Sequence, residues 1–232
     1  MKSLVGVYGG TFNPIHLGHL RAAEEVVEAL GLERMIFVPS AEPPHKQRRE
    51  SVIAPAQARL EWTHLAVRGN ARFEVDAIEV DRAGPSFLVD TLREWGERLT
   101  PRLPIFTLGH DAFAEMSSWR EPEALFRLAH FAVMTRPPLH TGSLDDWLPE
   151  IVRDEIEISP DGRSGRHRAA DTWIRLVEIT GLDISASKIR QMIGRGVSTR
   201  YLLPEEVRAA IEQSGHYTPL CRAAKHKASR SR

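Results

Sequence analysis

Short apolar runs alternate with amphipathic stretches along most of this sequence. Residues 3–8 form an apolar run that ends at two glycines, and residues 17–30 repeat apolar positions every three or four residues before Gly31. The first pattern is typical of a buried strand, and the second of a helix with a glycine C-cap. Residues 34–40 form a second apolar run, which predicts a strand–helix–strand unit with a right-handed crossover.

The same alternation continues towards the C-terminal end of the chain. It predicts helices at residues 55–67, 86–99, 121–129, 143–156, 187–196 and 203–215. It also predicts a strand or a strand pair at residues 72–80, and strands at residues 104–109, 130–137 and 172–179. Residues 159–171 are polar and rich in glycine and arginine, which predicts a loop. Alternating strands and helices indicate an α/β fold with a doubly wound, mostly parallel sheet and a small C-terminal helical part. We expect one domain over residues 1–218 and a basic, disordered tail at residues 219–232.

The composition is that of an ordinary globular domain. The chain has 232 residues, of which 42% are hydrophobic, and 31 Lys and Arg residues balance 31 Asp and Glu residues. This balance does not favour a nucleic-acid partner, and no apolar run approaches the roughly 18 residues of a membrane span. The single cysteine, Cys221, excludes an intramolecular disulfide, and the N-terminus lacks the features of a signal peptide. We therefore expect a cytoplasmic protein.

The stretch GGTFNPIHLGH at residues 9–19 places two glycines, a turn and two histidines between the first strand and the first helix. Ligands of open parallel sheets bind at the carboxyl ends of strands, where Gly9 and Gly10 allow close approach. The N-terminus of a helix favours phosphate, and His16 and His19 project from the same side of its first turn. The pattern predicts a phosphate site. It lacks the G-x-G-x-x-G fingerprint of dehydrogenases, and no third ligand with suitable spacing supports a metal pair.

A second stretch, ISASKIR at residues 184–190, follows a predicted strand and opens a short helix. Either Ser185 or Ser187 can cap that helix. Ser187 and Arg190 are three residues apart, so a hydroxyl and a guanidinium can face the same ligand. Taken alone, this heptamer is a capped helix with an exposed arginine.

Together the two stretches resemble the G-G-x-F-[DN]-P-x-H-x-G-H and I-S-x-[ST]-x-I-R motifs of the nucleotidyltransferase superfamily. Within that superfamily, several further segments resemble bacterial nicotinate-nucleotide adenylyltransferases. These segments are VPSAEPPHK (38–46), DRAGPSFLVDTL (81–92), LGHDAFAEMSSW (108–119), MTRP (134–137) and LLPEEVRAAIEQSGHY (202–217). The resemblance covers residues 5–217 and is thin over residues 142–170.

The resemblance implies a Rossmann-like nucleotidyltransferase fold. It also implies an enzyme of NAD biosynthesis that transfers the adenylyl group of ATP to nicotinate mononucleotide, giving nicotinate adenine dinucleotide and pyrophosphate. It makes His16, His19 and Arg190 catalytic. The implied ATP-binding residues are Gly9, Gly10, Thr11, Phe12, His16, His19, Ile184, Ser185, Ser187 and Arg190. The family uses Mg²⁺ held by substrate oxygens and water, so no metal site is expected in the protein. We expect small-molecule substrates, no nucleic acid, no membrane, and a possible homo-oligomer.

The same resemblance assigns an acceptor site for the mononucleotide. Its implied residues are Lys46, Ser86, Asp111, Trp119, Arg120 and Arg136. Trp119 lies where the family stacks an aromatic ring on the pyridine, and Asp111 suits a ribose or amide contact. Two positions depart from the family pattern, because Leu88 replaces a threonine and Arg120 stands where some relatives have tyrosine.

Other interpretations stay open on the sequence alone. Trp119 also suits core packing, Asp111 a helix N-cap, and Lys46 or Arg136 a solvated surface charge. The ATP motifs also fit an adenylyltransferase that acts on nicotinamide mononucleotide or on phosphopantetheine. A nucleotide-binding protein without turnover and a metal-dependent hydrolase that uses the two histidines are the remaining alternatives.

Overall fold

The computed structural model describes residues 4–43, 53–136 and 142–218. The strands in these residues are β1 (Val5–Gly10), β2 (Arg34–Pro39), β3 (Phe73–Val75), β4 (Ile105–Gly109), β5 (His130–Thr135), β6 (Ile156–Ile158), β7 (Ser164–His167) and β8 (Trp173–Glu178). The α-helices are α1 (Leu17–Leu30), α2 (Ala56–Val67), α3 (Ile78–Asp81), α4 (Leu88–Leu99), α5 (His110–Ala114), α6 (Pro122–Leu128), α7 (Leu144–Trp147), α8 (Ala186–Gly194) and α9 (Glu205–Ser214). Two short 3₁₀ helices cover Met116–Ser118 and Glu150–Glu155.

All the strands belong to one sheet in the order β3-β2-β1-β4-β5-β8-β7-β6. The pairs from β3 to β8 are parallel, whereas β7 pairs antiparallel with both β8 and β6. The strand order reverses between β1 and β4, so the connections that follow these two strands leave towards opposite faces of the sheet. A crevice opens at such a switch point, which is where ligands of doubly wound sheets bind. The predicted α/β fold with a mostly parallel sheet is confirmed.

Helices cover both faces of the sheet because its parallel strands bury side chains on both sides. On β4, Ile105 packs with one buried cluster while Phe106 and Leu108 pack with the other, as the two-residue period of a strand requires. Helices α1, α2 and α9 join the Ile105 cluster through Val26, Trp62 and Ile211, among others. Helices α4 and α6 join the opposite cluster. No helix in the described part of the chain is long and apolar enough to cross a membrane.

Three sequence predictions about local structure were wrong. The predicted strand at residues 72–80 ends at Val75, because Asp76 Oδ1 accepts the backbone N–H of Ile78 and starts a helical turn. The predicted helix at residues 143–156 is interrupted at Pro149 and ends in β6. The predicted loop at residues 159–171 contains β7, which pairs with β6 and β8 and follows β6 after a turn in which Gly162 has φ 67°.

The predicted tail at residues 219–232 and Cys221 lie outside the described residues. The domain boundary at residue 218 therefore stays a prediction.

Candidate functional site

The connection between β1 and α1 forms a tight, buried turn at the switch point. Thr11, Phe12 and Asn13 are all buried, and Phe12 adopts a left-handed backbone conformation at φ 43°. This conformation costs a non-glycine residue about 1–2 kcal/mol, so the surroundings must hold it. The Phe12 ring packs edge-on against Tyr8 and His19, with centroid distances of 5.7 and 5.2 Å.

Polar contacts from distant parts of the chain hold the same turn. The side-chain oxygen of Asn13 accepts hydrogen bonds from the backbone N–H of Ala54 and from the hydroxyl of Tyr217. The backbone carbonyl of Asn13 accepts a hydrogen bond of 2.7 Å from Arg190 Nη1. Since Arg190 belongs to α8, this bond joins the two sequence motifs directly.

The two histidines stack face to face at the N-terminus of α1. Their ring centroids are 3.7 Å apart, with an angle of 24° between the planes. The backbone N–H of His16 donates to Nδ1 of His19 at 3.2 Å. Because Nδ1 accepts in this bond, the hydrogen-bond network assigns the proton of a neutral His19 to Nε2. His19 therefore has a defined donor for a ligand.

His16 is neutral near pH 7. Burial, aided by the positive charge of Arg136, lowers the pKa of His16 to about 4. Its Nδ1 is buried, and among the described residues it has no hydrogen-bond partner. A Cβ atom at Gly18 would lie 3.0 Å from this nitrogen, so the glycine between the histidines leaves room for the His16 ring.

Helix α8 brings the second motif to the same place. Ser185 is its N-cap, since its hydroxyl accepts a hydrogen bond from the backbone N–H of Lys188. Of the two candidate caps, Ser185 and Ser187, the structure therefore selects Ser185. Ser187 accepts a hydrogen bond of 3.1 Å from Arg190 Nη2. A capping residue, a hydroxyl and a guanidinium thus surround the positive end of this helix.

The two motifs line one cavity of about 330 Å³. Its walls are Tyr8, Gly9, Gly10, Thr11, Phe12, Asn13, His16, His19, Ser185, Ala186, Ser187 and Arg190. Nine of the ten residues predicted to bind ATP are in this set. Ile184, the tenth, lines an adjoining cavity of about 160 Å³ that also contacts both histidines, Gly109 and Arg136.

The main cavity is suited to an anion. Its walls offer imidazole, guanidinium and hydroxyl donors, and among the described residues no carboxylate belongs to its lining. Within the described residues, no group of three or more His, Cys, Asp or Glu side chains is arranged to hold a metal ion.

The predicted acceptor residues within the described part of the chain come from three connections, and the one between β4 and β5 holds Asp111, Trp119 and Arg120. The Ser86 hydroxyl accepts hydrogen bonds from the backbone N–H groups of Ala41 and Glu42 at 2.9 and 3.3 Å, so it holds that loop. The Asp111 side chain is 86% exposed, and its Oδ1 lies 2.7 Å from His110 Nε2.

The remaining acceptor candidates differ in their surroundings. Trp119 is partly buried against the core cluster that contains Phe106 and Leu108. The Arg120 guanidinium lies over the Phe87 ring at 4.7 Å from its centroid. Arg136 lines the smaller cavity beside the histidines rather than the region around Trp119. Lys46 lies outside the described residues.

Two site residues were missed by the sequence reasoning. Tyr8 lines both cavities, and burial raises the pKa of its hydroxyl to about 12 although Arg136 opposes the shift. Its position in β1, immediately before the two glycines, could have indicated that it lies at the site. Tyr217 reaches the turn at residues 11–13 from the far end of the described chain, and no local pattern predicts that contact.

A doubly wound sheet with a donor-lined cavity at its switch point, built from a His-x-Gly-His turn and a capped helix, is the arrangement that the resemblance to nucleotidyltransferases implies. Comparison with known proteins agrees with this class and identifies the family within it. The sequence profile of the cytidylyltransferase-like family matches residues 7–192.

Two bacterial relatives match almost the whole chain. A probable nicotinate-nucleotide adenylyltransferase of Trichlorobacter lovleyi is 40% identical over 93% of this chain and 99% of its own length. One from Pelobacter propionicus is 37% identical, over 92% and 98%. The chain therefore belongs to the cytidylyltransferase-like family and, within it, to the nicotinate-nucleotide adenylyltransferases.

Solved structures support the fold. The Plasmodium falciparum nicotinic acid mononucleotide adenylyltransferase complexed with NaAD superposes with a TM-score of 0.70. The alignment covers 93% of this chain and 97% of the Plasmodium chain at 15% sequence identity.

Proposed function

We propose that this enzyme transfers the adenylyl group of ATP to nicotinate mononucleotide, releasing pyrophosphate and forming nicotinate adenine dinucleotide for NAD biosynthesis. The names of relatives that match more than nine-tenths of the chain support this reaction. The observation that carries the proposal is the convergence of His16, His19, Ser187 and Arg190 on one cavity.

The chemistry is an in-line displacement at the α-phosphorus of ATP. A phosphate oxygen of the mononucleotide forms the new bond, and the bond from the α-phosphorus to the oxygen that bridges to the β-phosphorus breaks. A phosphate monoester is already largely ionised near neutral pH, since its second pKa is about 6, so the reaction needs no general base. A cavity whose described lining consists of donors and contains no carboxylate suits this requirement.

The donors act on the leaving pyrophosphate. As the bridging bond breaks, negative charge grows on the β- and γ-phosphates, and donors that are already in place stabilise it. His19 offers Nε2–H, and Arg190 offers a permanent positive charge at the N-terminus of α8. Ser187 adds a hydroxyl beside that guanidinium.

His16 contributes a neutral donor rather than a charge. Because its pKa is lowered to about 4, the imidazole carries one ring N–H near pH 7. Its stacking on His19 fixes both rings before the nucleotide binds. Preorganisation of this kind avoids the cost of orienting the donors during the reaction.

Mg²⁺ enters with ATP in this proposal. The cation prefers oxygen ligands and usually keeps several waters, so phosphate oxygens and water can hold it without a protein carboxylate. It supplies neutralisation of phosphate charge, while the imidazole and guanidinium groups contact the remaining oxygens.

In this proposal the acceptor binds against Asp111 and Trp119. Trp119 stacks on the pyridine ring and Asp111 contacts the ribose, while Arg120 and Lys46 provide positive charge for the carboxylate and the phosphate. Ser86 acts indirectly through the loop that it holds. The cytoplasmic location and a homo-oligomer stay predictions.

The test is to incubate the purified protein with ATP, Mg²⁺ and one acceptor at a time, and to identify the product by mass spectrometry. The acceptors are nicotinate mononucleotide, nicotinamide mononucleotide and phosphopantetheine. We expect pyrophosphate and nicotinate adenine dinucleotide from the first acceptor at the highest kcat/KM. Faster turnover of another acceptor contradicts the assignment, and ATP binding without pyrophosphate release indicates a non-catalytic protein.

A further inference from the structure

Arg59 on α2 lies outside both motifs, yet its side chain is directed into the interior beside them. Arg59 is only 1% exposed. Its Nε donates to the carbonyl of Ala54 at 2.9 Å, its Nη1 to the carbonyl of Thr11 at 2.7 Å, and its Nη2 to the carbonyl of Ala41 at 2.9 Å. Burial of a guanidinium is costly unless its donors are satisfied, and here each nitrogen bonds to a different segment of backbone.

The bond to Thr11 fixes the peptide that joins Thr11 to Phe12. The amide N–H in that peptide belongs to Phe12 and points away from the Thr11 oxygen, because the group is planar and trans. A cation bonded to the oxygen therefore orients the amide of a residue that lines the cavity. Phe12 is also the residue with the left-handed backbone, which persists only where the surroundings hold it.

The other two bonds extend this control to neighbouring loops. Ala41 is bonded at both ends of its backbone, because its N–H donates to Ser86 and its carbonyl accepts from Arg59. Ala54 is held in the same way, with its N–H on Asn13 Oδ1 and its carbonyl on Arg59. One guanidinium thus connects the nucleotide turn with the loop that Ser86 anchors.

A buried carboxyl lies near this guanidinium. Glu79 is 7% exposed, accepts a hydrogen bond of 2.7 Å from the Thr91 hydroxyl and attracts Arg59 electrostatically. The positive charge of Arg59 is therefore partly balanced inside the protein.

We propose that Arg59 is a positioning residue for adenylyl transfer, which holds the turn at residues 11–13 in its reactive conformation and couples it to Ala41 and Ala54. The proposal rests on the function proposed above. Since the guanidinium is enclosed and its nitrogens are used by backbone carbonyls, Arg59 acts through the turn and not by touching substrate.

The test compares Arg59→Met and Arg59→Lys with the control Thr63→Val. Lysine keeps the charge but, as a point donor, cannot hold three separate carbonyls. Thr63 lies one turn along α2, is fully buried, and donates its hydroxyl to the carbonyl of Arg59 at 2.7 Å, so its loss perturbs the helix without touching the turn.

We expect both Arg59 variants to lose about a hundredfold in kcat/KM, mainly through kcat, since a displacement of about 1 Å in a reactive geometry costs that much. Thr63→Val should stay within about twofold of the wild type. The measurement is steady-state pyrophosphate release with each substrate varied in turn, at temperatures where circular dichroism shows every variant to be folded.

Three outcomes overturn the proposal. The first is a folded Arg59→Lys or Arg59→Met with kcat within about twofold of the wild type, and the second is an equal loss in Thr63→Val. If neither Arg59 variant folds, the turn is tested through Tyr217, whose hydroxyl bonds to Asn13 Oδ1. The third outcome is then an unchanged kcat in Tyr217→Phe. Wild-type turnover in the same assay separates this proposal from the proposed function. A wild-type protein that makes no dinucleotide contradicts the proposed function, not the role of Arg59.

Discussion

The nucleotide side and the acceptor side of the site are built in different ways. On the nucleotide side, the donors hold one another, since His16 bonds to His19 and Arg190 bonds to both Asn13 and Ser187. On the acceptor side, the predicted residues come from several connections and contact different partners. Ser86 holds the loop at residues 41–42, Asp111 pairs with His110, and Trp119 packs on the core.

This difference reflects how each geometry is specified. A His-x-Gly-His turn fixes its donors through contacts three residues apart, so the local sequence carries most of the geometry. The acceptor side depends on the relative placement of several connections around the sheet, and a substrate can still rearrange its exposed side chains. Substitutions on the nucleotide side should therefore affect turnover, whereas those on the acceptor side should affect KM for one substrate.

His19→Ala should have the largest effect. Loss of one preorganised donor to the leaving group costs about 3 kcal/mol of transition-state stabilisation, or roughly a hundredfold in kcat. The measurement is the rate of pyrophosphate release at saturating substrates, with thermal unfolding to check the Phe12 packing that the ring also provides. His64→Ala on the exposed face of α2 is the matched control and should be unchanged. A wild-type rate in His19→Ala would contradict the role assigned to the nucleotide side.

Burial of the nucleotide side also predicts how stability depends on pH. The unfolded chain protonates His16 near pH 6.5, whereas the folded chain does so only near pH 4, with Arg136 contributing to the low pKa. Protonation thus favours unfolding, and stability falls as the pH drops from 6.5 towards 4. The His16 contribution to this loss is about 2 kcal/mol at pH 5.

The measurement is the free energy of unfolding from urea titrations at pH 7.5 and pH 5, for the wild type and for His16→Asn. The variant lacks this titration, so its loss between the two pH values should be smaller by about 2 kcal/mol. Burial lowers the pKa of His130 to about 4 as well, but that residue is present in both proteins and cancels. Equal losses in the two proteins would mean that His16 is not held neutral by burial.

Trp119→Leu tests the acceptor side. An aromatic stack is worth about 0.5–1.5 kcal/mol, so KM for nicotinate mononucleotide should rise about twofold to twelvefold while KM for ATP stays unchanged. Trp173→Leu is the control, because Trp173 is also partly buried but begins β8, at the amino-terminal ends of the parallel strands, whereas the cavity lies at their carboxyl ends. A parallel rise in KM for ATP would show that the two sides are not separable.

The sequence could predict those features that depend on local patterns. Apolar periodicity located β1, α1 and β2. The spacing of His16 and His19 predicted an anion site, and both side chains line the main cavity. Proximity of the two motifs followed from the resemblance, and the bond from Arg190 to Asn13 gives it a physical basis.

The remaining features depend on tertiary contacts. Strand β7 has a polar sequence and becomes a strand only because β6 and β8 lie on either side of it. The bonds of Ser86 to residues 41–42 and of Arg59 to the carbonyls of Thr11 and Ala41 join segments that are distant in sequence. A serine before a helix or an arginine within one carries no pattern that reveals such partners.

Arg120→Gln should have the smallest effect and gives the sharpest test of the comparison. The Arg120 guanidinium lies 4.7 Å from the centroid of the Phe87 ring, and its Nε lies 3.8 Å from Glu121 Oε1. Exposed contacts of these kinds are worth about 0.5–1 kcal/mol, so a substrate carboxylate must compete with partners that already occupy the side chain. The ratio of kcat/KM for nicotinate mononucleotide to kcat/KM for nicotinamide mononucleotide should therefore fall only about twofold to threefold.

Arg127→Gln is the control for Arg120→Gln, because Arg127 is another exposed arginine paired with a carboxylate, and it should leave the ratio unchanged. A fall of more than about tenfold would mean that Arg120 leaves Phe87 and pairs with the substrate carboxylate in a desolvated site. The acceptor side would then resemble the nucleotide side in its dependence on one charged donor.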